Sequence, residues 1–255
     1  LTIETQIAGR VGGAAVAVAA VREAAARTGT DFSFLLAQAK VESGLDSGAR
    51  AATSSARGLF QFTKATWLEM VRKHGAAHGL GWAAEMLESG AAKAGTAARE
   101  TILGLREHPV AASLMAGELV RDNAAVLEAK LGRATGAVDH YLAHFLGAGG
   151  ATRFLSALER APEQAAAAVV PAAAAANRSV FYAKDGHALS LAEVRDRLAA
   201  RLARAGASDT ILPVSGKRLP VVAAAEPAVA GTAPLAAAAA GRARMAYMLL
   251  AELGG

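Results

Sequence analysis

Between Val16 and Arg160 apolar side chains recur three and four residues apart, the spacing that gathers them on one face of an α-helix. Val16 to Arg27 is read as a first helix. The Gly29-Thr30-Asp31 turn then caps a second that runs to about Glu42, with Phe32, Leu35, Leu36 and Ala39 along one face. An irregular stretch follows, punctuated by Gly44, Gly48 and Ser54-Ser55. Thr63 caps the next helix, which reaches about His74 and carries Trp67, Leu68 and Val71 on its apolar side. Further helices are predicted near 81–90, 97–106, 110–131, 136–146 and 150–160. No stretch of this half alternates with period two between turn residues, so strands are not expected.

Proline separates this half from the next. Only Pro109 precedes residue 161, whereas Pro162, Pro171, Pro213, Pro220, Pro227 and Pro234 follow it. Proline lacks the amide donor and clashes inside a helix, so the first part can be densely helical and the second must be interrupted. Ala165 to Ala176 is split by Pro171. Ser179 to Tyr182 reads as a short extended piece before a Lys184-Asp185-Gly186 turn. Ser190, with Glu193 three residues on, makes a capping-box pattern for a helix to about Ala205. Residues 206–235 read as a poorly ordered linker, and 236–255 as a terminal helix able to dock through Met245, Tyr247, Met248, Leu249 and Leu250.

Composition narrows the picture modestly. Hydrophobic residues make up 53% of the 255 and charged ones 19%, which excludes an intrinsically disordered chain. The net charge of +5 is spread along the sequence, without the dense basic run of a nucleic-acid tail, so no nucleic-acid partner is expected. Cysteine is absent, which removes disulfides and thiolate metal sites. His74 and His78, and His140 and His144, sit four apart, but neither pair belongs to a His-Glu-x-x-His pattern; no metal is expected. Val11 to Ala20 is too short to span a bilayer, and the apolar C-terminal stretch is broken by Glu226, Pro227 and Pro234, so no membrane span is read.

Candidate chemistry centres on Glu42. It continues the face set by Phe32, Leu35, Leu36 and Ala39, at the negative pole of its helix, where an ionised carboxylate is disfavoured. Those conditions suit a glycosidic general acid, which must hold its proton until it meets the leaving oxygen. Downstream, Gly58-Leu59-Phe60-Gln61-Phe62 combines a glycine that permits close backbone approach, an amide with donor and acceptor, and aromatic rings suited to lining a sugar groove.

Glu42-Ser43-Gly44-Leu45, then Ala49 to Ala56, then Arg57-Gly58-Leu59-Phe60-Gln61-Phe62 resembles the signature of the soluble lytic transglycosylases. Their catalytic domain is related to goose-type lysozyme. In that family a glutamate-serine pair ends a helix and a Gly-Leu-Met-Gln segment follows a short loop; this chain has Phe60 in place of the methionine. The resemblance implies that Glu42 is catalytic and that Ser43 and Gln61 lie at the substrate, with Phe60 and Phe62 beside them. A third family element, Ala-Tyr-Asn-Ala-Gly, corresponds to Tyr141-Leu142-Ala143-His144-Phe145-Leu146-Gly147. No asparagine stands there, and the segment is similar to a divergent subgroup carrying Tyr-Leu-Ala-His-Phe-Leu-Gly. Tyr141 either holds the Glu42 carboxyl by its hydroxyl, the favoured reading, or packs in the core. His144 either meets the substrate or caps the turn before Gly147, and Phe145 either lines the groove or packs in the core. Asn123 is a candidate supporting residue. Asp46 is either a second carboxylate or, as its loop position favours, a bond to its own backbone.

The expectation is thus an all-α, lysozyme-like domain over 15–160, with a helical, Ala/Pro-rich C-terminal extension over 161–205. What the resemblance implies is cleavage of the bond between N-acetylmuramic acid and N-acetylglucosamine in peptidoglycan, without cofactor, by a single acid/base that lets the muramoyl O6 attack C1. A lysozyme-like hydrolase using Asp46 or another acid to activate water, and a wall-binding or assembly protein with little turnover, are the alternatives. The implied setting is the periplasm or cell envelope, or a phage particle, within a flagellar, secretion or phage-entry assembly.

Overall fold

A computed structural model describes residues 3–52 and 54–207, and it is built of helices joined by short turns. In chain order they are α1 (Ile3–Thr28), α2 (Phe32–Ser43), α3 (Lys64–His74), a 3₁₀ turn (Gly75–His78), α4 (Gly81–Glu88), α5 (Ala97–Gly104) and a second 3₁₀ turn (Leu105–Glu107). Then follow α6 (Pro109–Leu131), α7 (Ala137–Arg160), α8 (Ala166–Val169), α9 (Pro171–Ala176), α10 (Arg178–Phe181) and α11 (Leu191–Ala205). Among the described residues, β-pairing is limited to isolated bridges such as Arg50 with Arg57 and Arg57 with Phe62. The all-α expectation is met at this level. The expectations for the linker at 208–235 and the terminal helix at 236–255 lie outside the described residues.

The caps read from the sequence form. Asp31 accepts from Phe34 N at 2.8 Å, Thr63 from Thr66 N at 3.3 Å, and Ser190 and Glu193 complete their reciprocal box. Each such bond satisfies an amide that the helix itself leaves unpaired.

Three local expectations are corrected. α1 begins at Ile3 rather than near Val16, passing through Gly9, Gly12 and Gly13. Glycine weakens a helix without breaking it, and the Ala17, Ala20, Val21 and Ala24 stripe, packed on α6, anchors the element. The two helices expected at 136–146 and 150–160 are one element kinked at Gly147, whose φ of 71° and ψ of 157° only glycine adopts without strain. Ser179 to Phe181 is helical rather than extended: Phe181 is fully buried and stacks on Phe145 at 6.2 Å, so packing overrides the strand propensity of a short apolar run.

One continuous apolar core runs from Ala17 to Ala207. α1 lies along α6, α6 along α7, and α11 packs against both α2 and α7. Val170, Val180, Phe181, Leu191, Val194, Leu198 and Leu202 of the extension are buried in the same core. The extension is therefore packed into the helices that carry the candidate site.

Candidate active site

Glu42 occupies the last turn of α2. Gly44 ends the helix in the left-handed conformation, at φ 62°, and its N–H returns to Ala39 O and Lys40 O. The turn leaves the Glu42 backbone partly open while the side chain folds inward to 3% exposure. There its Oε1 lies 3.2 Å from His144 Nε2 on α7. The pair is in contact, but without the alignment of a hydrogen bond: Glu42 Oε1 and His144 Nδ1 are both buried atoms with no hydrogen-bond partner among the described residues.

The next residue ties the helix to the loop that follows. Ser43 Oγ lies 3.0 Å from both Ala39 O and Leu59 O, so its proton is shared between the α2 backbone and the Gly58–Phe62 segment. Ser43 therefore joins the two parts of the signature through the protein, where it was expected to face substrate. Gln61 acts similarly. It adopts φ 47°, is 6% exposed, and donates from Nε2 to Gly58 O at 2.9 Å and Ala49 O at 3.3 Å. Its amide braces the loop. Phe60 and Phe62, expected to line a groove, are core residues at 1% and 3% exposure; Phe62 meets Trp67 edge to face at 5.4 Å. Two aromatic rings in one tight segment gain more from burial under the loop than from water on it.

Gly58 is required by close approach. At φ 78°, an added Cβ would lie 1.9 Å from Arg106 O. Arg106 itself, unremarked in the sequence, is 2% exposed and donates to Leu103 O, Ser55 O at 2.6 Å and Phe62 O at 3.2 Å. Burial, with Arg57 nearby, lowers its pKa to about 10, so it remains a cation at neutral pH and a fivefold donor for a loop rich in carbonyls. An isolated arginine at the end of a predicted helix carries no periodic signal of such burial.

α7 supplies the opposite side. Tyr141 is 1% exposed and lies parallel to the His144 ring at 6.2 Å. Among the described residues its hydroxyl makes no hydrogen bond to Glu42, contrary to the expected link. Burial, and then the Glu42 carboxyl, push the phenol well above its ordinary value, while Arg201 opposes the push. Tyr141 thus stays a neutral hydroxyl beside the carboxyl. His144, not Tyr141, makes the direct contact. Phe145 is half-buried and faces Phe181 of the extension.

The remaining candidates stand apart. Asp46 is exposed and accepts from Gly48 N at 2.8 Å, closing its own loop. Asn123 is half-buried on α6, with no hydrogen bond to the site among the described residues. His140 is buried, bonded at 2.8 Å to Thr135 Oγ1, and desolvation lowers its pKa, so it is a neutral core histidine. His74 and His78 face Glu118 and Asp122 across α6. No group of three or more His, Asp or Glu side chains among the described residues is arranged to hold a metal ion. No described helix is long and apolar enough to cross a membrane.

Chemically the arrangement offers one buried carboxyl that can give and take a proton, an imidazole in contact with it, and a neutral phenol beside that imidazole. Among the described residues no second carboxylate is bonded to either Glu42 or His144. No model of a known protein family matches the sequence.

Proposed function

We propose that the protein is a lytic transglycosylase of the goose-type-lysozyme-like kind, cleaving the β-1,4 bond from N-acetylmuramic acid to N-acetylglucosamine in bacterial peptidoglycan. The observation that carries the reading is the joining of Glu42 to the Gly58–Phe62 segment through Ser43, with the Glu42 carboxyl buried against His144. The likeness rests on these short segments, and they meet at one place in the fold.

In this mechanism Glu42 donates its proton to the glycosidic oxygen as the C1–O4 bond breaks. The N-acetyl oxygen of the same sugar stabilises the developing positive charge at C1. The carboxylate then takes the proton of the muramoyl O6 hydroxyl while O6 bonds to C1, leaving a 1,6-anhydromuramoyl end and regenerating the acid. No water is consumed. Because O6 belongs to the reacting sugar, it replaces the second carboxylate that hydrolases use to activate water or to attack. His144 is the residue at hand to stabilise the carboxylate between the two steps, in the segment where the family carries asparagine. Asp46, occupied by its own loop, gives the hydrolytic alternative no support. The substrate places the protein's work at the cell wall, and an envelope-spanning or phage-entry assembly is the matching context.

Digestion of purified peptidoglycan, followed by mass spectrometry of the released fragments, tests the reading. Anhydromuramoyl ends are expected. Reducing ends would assign a hydrolase, and intact glycan a wall-binding protein.

A further inference from the structure

The loop between Glu42 and the Gly58–Phe62 segment carries its charge unevenly. Ala49 O accepts from Gly58 N at 2.9 Å and from Gln61 Nε2 at 3.3 Å, which closes the neck of the loop. One residue inward from that neck, Leu59 O meets Ser43, the neighbour of Glu42. One residue outward, Arg50 and Arg57 pair across the loop as an antiparallel bridge, and both guanidiniums converge on Glu107, the last residue of the second 3₁₀ turn. Arg50 Nη2 lies 3.3 Å from Glu107 Oε1 and Arg57 Nη1 3.2 Å from the same oxygen. Arg106 sits beneath them, its Nη1 donating to Phe62 O, the carbonyl that also accepts from Arg57 N.

Three guanidiniums thus gather around one carboxylate. Among the described residues, Glu107 is the acid that pairs with Arg50 and Arg57; Asp46 is held by Gly48 N, and Glu100 of α5 acts on the buried Arg106. The Arg50 and Arg57 side chains stay 61% and 39% exposed, against 28% for Glu107, so donors of both forks face water beside an acid already in use. Exposed pairs of this kind contribute little to stability. We infer that Arg50 and Arg57 form an anion subsite beside Glu42 that binds a carboxylate of the peptide stem on the muramoyl residue. The inference rests on the proposed function for the identity of its ligand. The stem is attached through the lactyl ether of the sugar on which Glu42 would act, and it carries free carboxylates. A carboxylate matches guanidinium forks in shape as well as charge. Glu107 holds the two long side chains together, so less rotamer freedom is lost when the stem arrives.

Binding is measured in the Glu42→Gln background by titrating soluble glycan strands that bear stems, and the same strands after an amidase has removed them. Stem-bearing strands should bind roughly fivefold more tightly, and 0.5 M salt should erase most of that preference. Arg50→Gln combined with Arg57→Gln should abolish the preference and leave affinity for stripped strands within about twofold; the two lysine substitutions should restore part of it. Arg72→Gln, an exposed arginine on α3, should leave it unchanged. Glu107→Gln frees both forks and should strengthen binding of stem-bearing strands by roughly two- to threefold, a gain that a damaged loop could not produce. If the double arginine variant fails to fold, Glu107→Gln decides alone. Equal affinity of the parent for the two kinds of strand, or no gain in Glu107→Gln, overturns the inference. A stem preference without anhydromuramoyl ends from the unmutated protein overturns the catalytic reading instead, and leaves the subsite standing.

Discussion

Glu42 and Glu118 are both buried carboxyls beside histidines, at 3% and 1% side-chain exposure, yet their surroundings differ in kind. Glu118 lies in the middle of α6 and faces His78 Nε2 at 2.7 Å, His74 Nδ1 at 3.5 Å and Arg121 at 3.7 Å. One turn on, Asp122 takes up His74 Nε2 and Lys73, each at 2.8 Å. The network fastens α3 and the 3₁₀ turn after it to α6. Glu42 stands at a helix end and meets one imidazole, with no aligned hydrogen bond. A buried carboxyl held by several polar partners serves the fold, because its oxygens are already occupied. One left under-satisfied keeps an oxygen open for a partner that arrives with substrate.

The largest effects are expected at the two glutamates. Glu42→Gln should lower glycan cleavage by about 10³-fold or more while leaving urea stability within about 1 kcal/mol of the parent. Glu118→Ala should do the reverse, removing about 3–5 kcal/mol of stability in urea unfolding by stranding His74, His78 and Arg121, with cleavage retained by the folded fraction. Gly58→Ala tests the loop that Ser43 ties to α2. The clash with Arg106 O should remove roughly 1–3 kcal/mol and reduce cleavage in parallel, since Leu59 O would move from Ser43.

Smaller effects sharpen the contrast. His144→Asn should reduce kcat by roughly 10- to 100-fold with little change in KM, because the imidazole in contact with Glu42 is lost. His78→Asn should leave kcat unaltered. Asp122 gives the least effect. Hydrogen bonds from Lys73 and His74 outweigh its desolvation and hold its carboxyl below the ordinary 3.8. A carboxyl depressed in the folded state contributes stability above its unfolded pKa and loses it as pH falls through the folded value. Acid unfolding of the parent should therefore steepen below about pH 4, and Asp122→Asn should flatten that fall by under about 1 kcal/mol.

Much of the frame was legible because it is periodic or chemically marked. Asp31, Thr63 and the Ser190–Glu193 box announced helix starts, and Glu42 with Gly58 to Phe62 stood out by residue type and spacing. What those residues do was less legible. The resemblance set Ser43 and Gln61 at the substrate, and side-chain chemistry suggested the same of Phe60 and Phe62, but a tight loop must satisfy its own carbonyls and bury its own rings before it can serve a ligand. The direct partner of Glu42 was missed in favour of Tyr141, since both Tyr141 and His144 lie on one helical face and only packing decides which reaches across. Arg106 carried no pattern at all: its importance comes from which elements the chain returns to it.

The most direct test places Glu42→Gln and Glu118→Gln side by side, each assayed for anhydromuramoyl ends released from purified peptidoglycan and for urea unfolding. A stable Glu42→Gln protein that releases none is expected, beside a destabilised Glu118→Gln protein whose folded fraction still releases them. Anhydromuramoyl ends from Glu42→Gln at the parental rate would rule out Glu42 as the acid/base.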